Sequence, residues 1–250
     1  MKQPLQNKTI LITGGARRVG AAIGERLHAA GANLVIHYRS SGREARALVK
    51  SFNALRQGSA MAIKANLLDR LAPQALVRAC VKHYGQLDGL VNNASSFYAT
   101  PMGSMNHKGW DDLVGTNLKA PLFLSQAAAP ALKRTRGVIV NIVDIHAELP
   151  LPDYLMYTVA KGGLAALTRS LARELAPEIR VNGVSPGPIL WPEHSAWSSA
   201  RVRQSIIKKT LLQREGEPDD IAKAVAFFFM NAPYVTGQIL AVDGGRSIAL

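Results

Sequence analysis

A chain of 250 residues with 48% hydrophobic and 19% charged side chains has enough apolar material for one substantial core, which excludes a disordered chain. Its formal net charge of +13 comes from scattered basic residues without long runs, so no nucleic-acid binder is expected and an anionic small molecule is the better partner. The single cysteine, Cys80, excludes an internal disulfide and fits a reducing cytoplasm.

The N-terminal stretch MKQPLQNKTILITGG has too short an apolar run for a signal peptide and passes straight into a glycine turn. KTILIT (8–13) is the first expected strand, and a helix follows near 18–30. Gly14, Gly15 and Gly20 stand between them. Glycines there permit a tight turn and let backbone N–H groups approach a pyrophosphate at the helix N-terminus. NLVIHY (33–38) is the second strand and closes a βαβ unit. At its end stand His37, Tyr38, Arg39, Ser40 and Ser41, with no acid among them. An NAD site commonly offers a carboxylate to the ribose hydroxyls at this point. An arginine with hydroxyls would instead take a 2′-phosphate, so NADPH is the expected cofactor and His37, Tyr38, Arg39 and Ser40 are expected to line it. The other reading of Arg39 is a solvated loop residue. Arg17 and Arg18, inside the loop, either meet phosphate or substrate or form surface salt bridges, the second reading suiting Arg17 better.

Further along, strands are expected at SAMAIKA (59–65), LDGLVNNA (87–94), GVIVNIV (137–143), IRVNGVS (179–185) and GQILAVDGG (237–245). Helices are expected near 42–57, 71–84, 111–134, 155–176 and 218–231. The longest apolar run, IAKAVAFFFM (221–230), is far too short to span a bilayer and reads as a buried helix, so no membrane association is expected. This alternation predicts an α/β fold: a single Rossmann-type, doubly wound domain over 1–250 with a parallel seven-stranded sheet. The irregular segment around 188–215 is the expected substrate flap, and Trp191 and Trp197 in it either line the substrate mouth or pack the flap.

Tyr157 and Lys161 lie four residues apart, one turn along the same face of the helix expected at 155–176. An ammonium beside a phenol favours the phenolate, which is expected to lower the Tyr157 pKa and make it a usable acid or base. Asp144, at a strand end upstream, brings a carboxyl group toward the same place. Its other reading is a loop or helix-cap residue.

The segments TGGARRVG (13–20), NNAS (92–95), Asn117 in VGTNLKAPLFLSQ, YTVAK (157–161), RVNGVSPGP (180–188) and VTGQILAVDGG (235–245) occur together in this order. With them the whole chain resembles the short-chain dehydrogenase/reductase family. The resemblance implies that Asn117, Tyr157 and Lys161 serve a proton relay, with Lys161 also holding the nicotinamide ribose. It implies that Gly14, Val19, Gly20, Asn93, Ala94, Pro186 and Gly187 line the cofactor. Most members carry Ser where Asp144 stands, a hydroxyl that only hydrogen-bonds a carbonyl, whereas a carboxyl group offers a second proton source. Asp144, the HYRSS loop and NNASSFYATP (92–101) resemble the pteridine reductases within that family. This narrower likeness implies that Phe97 stacks on a pterin, that Ser95 and Arg18 contact pterin and cofactor phosphates, and that Asp144 and Tyr157 face the substrate. Asn66, followed by Leu67, stands where many relatives use Asp to contact the adenine; its amide can still hydrogen-bond there. The expected activity is NADPH-dependent reduction of a dihydropterin, with dihydrofolate and oxidised pterins as further candidates. The alternatives are a carbonyl reductase of the 3-oxoacyl type and, from another class, a cofactor-binding regulator without turnover. No metal site is expected, and the family likeness implies a homotetramer formed through the helices near 111–134 and 155–176.

Overall fold

The computed structural model describes residues 3–191 and 199–249. Seven strands form one parallel sheet in the order β3-β2-β1-β4-β5-β6-β7. They are β1 Thr9–Ile12, β2 Asn33–Tyr38, β3 Ala60–Lys64, β4 Gly89–Asn92, β5 Val138–Ile142, β6 Arg180–Pro186 and β7 Ile239–Val242. Helices α1 Arg18–Ala29, α2 Gly42–Leu55, α3 Ala72–Tyr84, α4 His107–Val114, α5 Ala120–Thr135, α6 Leu155–Leu175, α7 Ala200–Lys208 and α8 Pro218–Met230 accompany it.

The strand side chains explain the two layers. All four residues of β1 are buried. Ile10 and Ile12 pack with Ile23 and Leu27 of α1 and with Val225 and Phe228 of α8. Leu11, on the opposite face, packs with Leu76 of α3, Leu124 of α5 and Leu171 of α6. Burying each such side chain is worth about 1.5–3 kcal/mol, which is why strands apolar on both faces sit mid-sheet. Strand β1 pairs with β2 on one side and β4 on the other. The connections therefore diverge at its C-terminal end and open a crevice there.

Three elements differ from the sequence reading. The helix expected over 111–134 is α4, a π-turn at Gly115–Lys119, and α5. Pro121, in the first turn of α5, lacks the N–H that would bond the Asn117 carbonyl in regular α geometry, so the ladder shifts and Ala120 donates to Gly115 instead. The strand expected over 237–245 shrinks to β7 because Gly237, Gly244 and Gly245 adopt φ of +74°, +62° and +79°. The flap segment contains helix α7, whose residues ARVRQSIIK carry too few apolar side chains to announce a helix; none is buried.

Candidate active site

At the crevice the loops after β1 and β4 are clamped to each other. Thr13 Oγ1 accepts the N–H groups of Asn93 and Ala94 at 2.9 and 3.0 Å, and Asn93 Nδ2 donates to the carbonyls of Thr13 and Gly14 at 2.9 and 3.1 Å. A cavity of about 360 Å³ opens over this clamp. It draws together four groups expected from sequence: Gly14, Arg17, Arg18, Val19 and Gly20; His37, Tyr38, Arg39 and Ser40; Asn66 and Leu67; and Asn93, Ala94 and Ser95. Thr116, in the π-turn, also lines it; it lies in the VGTNLKAPLFLSQ stretch beside Asn117 but was not expected at the site. Pro186 and Gly187 are not among its lining residues. Pro186 ends β6 and Gly187 follows it; the Gly187 N–H donates to the Val242 carbonyl, and a Cβ on Gly187 would lie 2.6 Å from Asp243 Cα.

The individual side chains sharpen those expectations. Arg39 is 57% exposed at the rim and pairs with Asp112 of α4 at 3.3 Å. The Arg18 guanidinium donates to the carbonyls of Leu190 and Trp191, tying the start of the flap to the glycine loop. Arg17 is exposed and lines the cavity. The Asn66 amide builds its own turn, donating to Asp69 at 3.0 Å and accepting from Leu68 at 3.3 Å. Trp191 hydrogen-bonds Glu215 and lies under Arg203, 5.4 Å from its ring centroid, which favours packing of the flap. Trp197 lies outside the described residues.

The side chains expected to carry the chemistry come from the end of β5, from α6 and from the π-turn. Strand β5 ends at Ile142, two residues before Asp144. Asp144 caps a turn, as its second reading had it, and also meets Tyr157. Its Oδ1 accepts the His146 N–H at 2.9 Å and caps the short 3₁₀ turn Ile145–Ala147, while its Oδ2 accepts the Tyr157 hydroxyl at 2.6 Å. Burial, the Asp144 charge and the hydrogen bond to it push the Tyr157 pKa well above its ordinary value, with Ser95 pulling weakly the other way. This corrects the expectation that Lys161 lowers it: burial first, and then the nearby Asp144 anion, set the direction of the shift. Tyr157 is therefore a protonated donor at neutral pH. Lys161 is buried, donates to the Ile142 carbonyl at 2.9 Å and lies 5.6 Å from the Tyr157 ring centroid. Burial pushes its pKa down to about 8, partly offset by Asp144.

Asn117 is 1% exposed. Its Nδ2 donates to the Ser96 and Leu113 carbonyls at 2.9 Å each, and its Oδ1 accepts the Ser95 hydroxyl at 2.7 Å. It thus fastens the loop after β4 to the π-turn. Phe97 stacks on Tyr154 with centroids 4.6 Å apart and meets Tyr157 edge-on at 4.8 Å. Tyr154 escaped the sequence reading, although its position three residues before Tyr157 places it on the same approach to the site.

The profile described as Enoyl-(Acyl carrier protein) reductase matches residues 14–247, spanning the glycine loop, the Asp144–Tyr157–Lys161 group and the last strand. The chain belongs to the short-chain dehydrogenase/reductase family. Among similar proteins, Pteridine reductase 1 of Leishmania tarentolae is 39% identical over 279 aligned residues, covering 95% of this chain and 96% of that protein. The 3-oxoacyl-(acyl-carrier-protein) reductase FabG of Staphylococcus aureus is 36% identical over 241 residues, covering 95% and 97%. An uncharacterized oxidoreductase of Methylorubrum extorquens is 34% identical over 245 residues, covering 96% and 98%.

Reductases of the short-chain dehydrogenase/reductase family use a nicotinamide cofactor, and the cradle fits one. A Cβ on Gly20 would lie 2.4 Å from the Gly14 carbonyl oxygen and 2.7 Å from Asn93 Nδ2, so only glycine lets the start of α1 close onto the loop. The first-turn N–H groups of α1 have no helical acceptors and suit a pyrophosphate. Among the described residues no helix is long and apolar enough to cross a membrane.

Proposed function

We propose that this oxidoreductase is an NADPH-dependent pteridine reductase that converts a dihydropterin to the tetrahydropterin by reducing a ring C=N bond. The observation that carries the reading is the Asp144 carboxylate 2.6 Å from the Tyr157 hydroxyl. Reduction of C=N adds a hydride to carbon and a proton to the adjacent nitrogen. When bound, the reduced nicotinamide supplies the hydride. This chain supplies the proton: Tyr157 stands protonated, and Asp144, in hydrogen-bond reach, is a second group through which a proton passes to the substrate nitrogen or is recovered from solvent. Lys161, protonated at neutral pH, lends positive charge beneath the phenol. Phe97 and Tyr154 give the site an aromatic wall suited to a flat ring. The acid-free loop from His37 to Ser41 with Arg39 at the rim favours the phosphorylated cofactor.

A second reading, a 3-oxoacyl thioester reductase, is favoured by the likeness to FabG of S. aureus. Against it, ketone reduction develops negative charge on oxygen, and the Asp144 carboxylate beside Tyr157 would oppose that charge. NADPH-coupled rates on dihydrobiopterin, dihydromonapterin, dihydrofolate and a 3-oxoacyl thioester test the choice. Turnover of a dihydropterin supports the first reading; turnover of the thioester alone rejects it.

A further inference from the structure

The His37 side chain does not offer its ring nitrogens to the cavity. It is 1% exposed, and both nitrogens are occupied. Nδ1 accepts the Gly14 N–H at 3.2 Å, and Nε2 lies 3.1 Å from the Ala65 carbonyl oxygen. A carbonyl only accepts and an N–H only donates, so the proton sits on Nε2 and the lone pair on Nδ1. The main-chain carbonyl of the same residue accepts the Gly15 N–H at 3.1 Å. One residue at the end of β2 thus holds two successive N–H groups of the glycine turn and ties that turn to the residue after β3.

The turn it holds is a demanding one. Gly14 has φ +59°, and its carbonyl accepts Asn93 Nδ2 at 3.1 Å. With the N–H groups of Gly14 and Gly15 committed to His37, anion binding falls to the N–H groups beyond the turn, at the start of α1.

We propose that His37 is a positioning residue for the nicotinamide cofactor: its neutral imidazole, donating to Ala65 and accepting from Gly14, fixes the left-handed turn that aims the first turn of α1 at the pyrophosphate. The proposal rests on the nicotinamide-cofactor reading of the cavity. Burial holds the His37 pKa down to about 4, which keeps the accepting lone pair in place at neutral pH.

Three substitutions separate the two ring nitrogens. His37→Asn places an amide oxygen near the Nδ1 position, His37→Gln places an amide nitrogen near the Nε2 position, and His37→Phe fills the space with neither. Binding of NADPH and NADH would be measured for each, with kcat at saturating cofactor and thermal melting in parallel. H37N should bind within about threefold of the parent, whereas H37Q and H37F should weaken about tenfold, the equivalent of one lost hydrogen bond. Both nucleotides should weaken alike, because the pyrophosphate is common to them, and kcat at saturation should change less than about twofold. Equal losses in H37N and H37Q, or a loss for NADPH without one for NADH, would overturn the proposal. Independently of folding of the variants, nitrogen NMR of the parent should find the ring proton on Nε2, and its presence on Nδ1 would refute the brace. A parent chain that binds neither nucleotide would instead sink the cofactor reading, with the tautomer still deciding the brace.

Discussion

Tyr157 and Asp144 share one short hydrogen bond, and replacing either shows which group the proton depends on. On the proposed reading, Asp144→Ser and Tyr157→Phe each lower dihydropterin turnover at least about a hundredfold, the usual weight of a general acid, while NADPH binding stays within about threefold. Asp144→Ser should also bring the Tyr157 titration down, visible as phenolate absorbance at lower pH, since two of its three upward causes come from Asp144. Full dihydropterin activity in Asp144→Ser would remove Asp144 from the mechanism. Lys161 gives a pH signature. Its folded-state pKa of about 8 lies below the ordinary 10.5, so the unfolded chain holds the extra proton between those values. The contribution to stability is therefore complete above about 10.5 and lost as pH falls through about 8. Relative to Lys161→Met, the parent should gain stability as pH rises across that window, read by urea melts. Over the same rise kcat/KM should fall as the ammonium is lost.

Elements fix these side chains, and some elements were easier to read than others. The strands and helices α1, α2, α3, α6 and α8 were legible because apolar runs and glycine turns mark them in the chain itself. The π-turn was not, because a 3.6-residue pattern runs across 111–134 and only Pro121 hints at the break. Yet that turn carries Asn117. Asn117→Ala should cost about 1–3 kcal/mol in a urea melt, because it removes three hydrogen bonds, among them the buried one to the Leu113 carbonyl. Motifs also located the cofactor loops without showing where side chains turn: His37 faces inward, Phe97 lies on Tyr154, and Asp144 caps a turn while it meets Tyr157. Such facts depend on neighbours distant in sequence. Gly20 is the exception, since its need for close approach follows from the motif. Gly20→Ala should weaken NADPH binding at least about tenfold in a fluorescence titration, because the added methyl must push the Gly14 carbonyl away.

Across the molecule, the sheet gathers residues from the ends of β1, β2, β4 and β5 onto one edge, where the proposed chemistry takes place. The helices on one side leave Leu122 and Phe123 of α5 and Leu155 and Val159 of α6 between 39% and 47% exposed, apolar surface on the two helices through which a homotetramer is proposed. Light scattering should give a mass four times the 26.9 kDa chain, reduced by Phe123→Glu. The net charge of +13 should make NADPH binding weaken as salt rises. What the protein reduces is settled by one comparison: kcat/KM with NADPH for dihydrobiopterin against a 3-oxoacyl thioester. Asp144 beside Tyr157 predicts a preference for the pterin of at least about a hundredfold, nearly 3 kcal/mol in transition-state stabilisation. An equal or greater value for the thioester would contradict the assignment of pterin reduction.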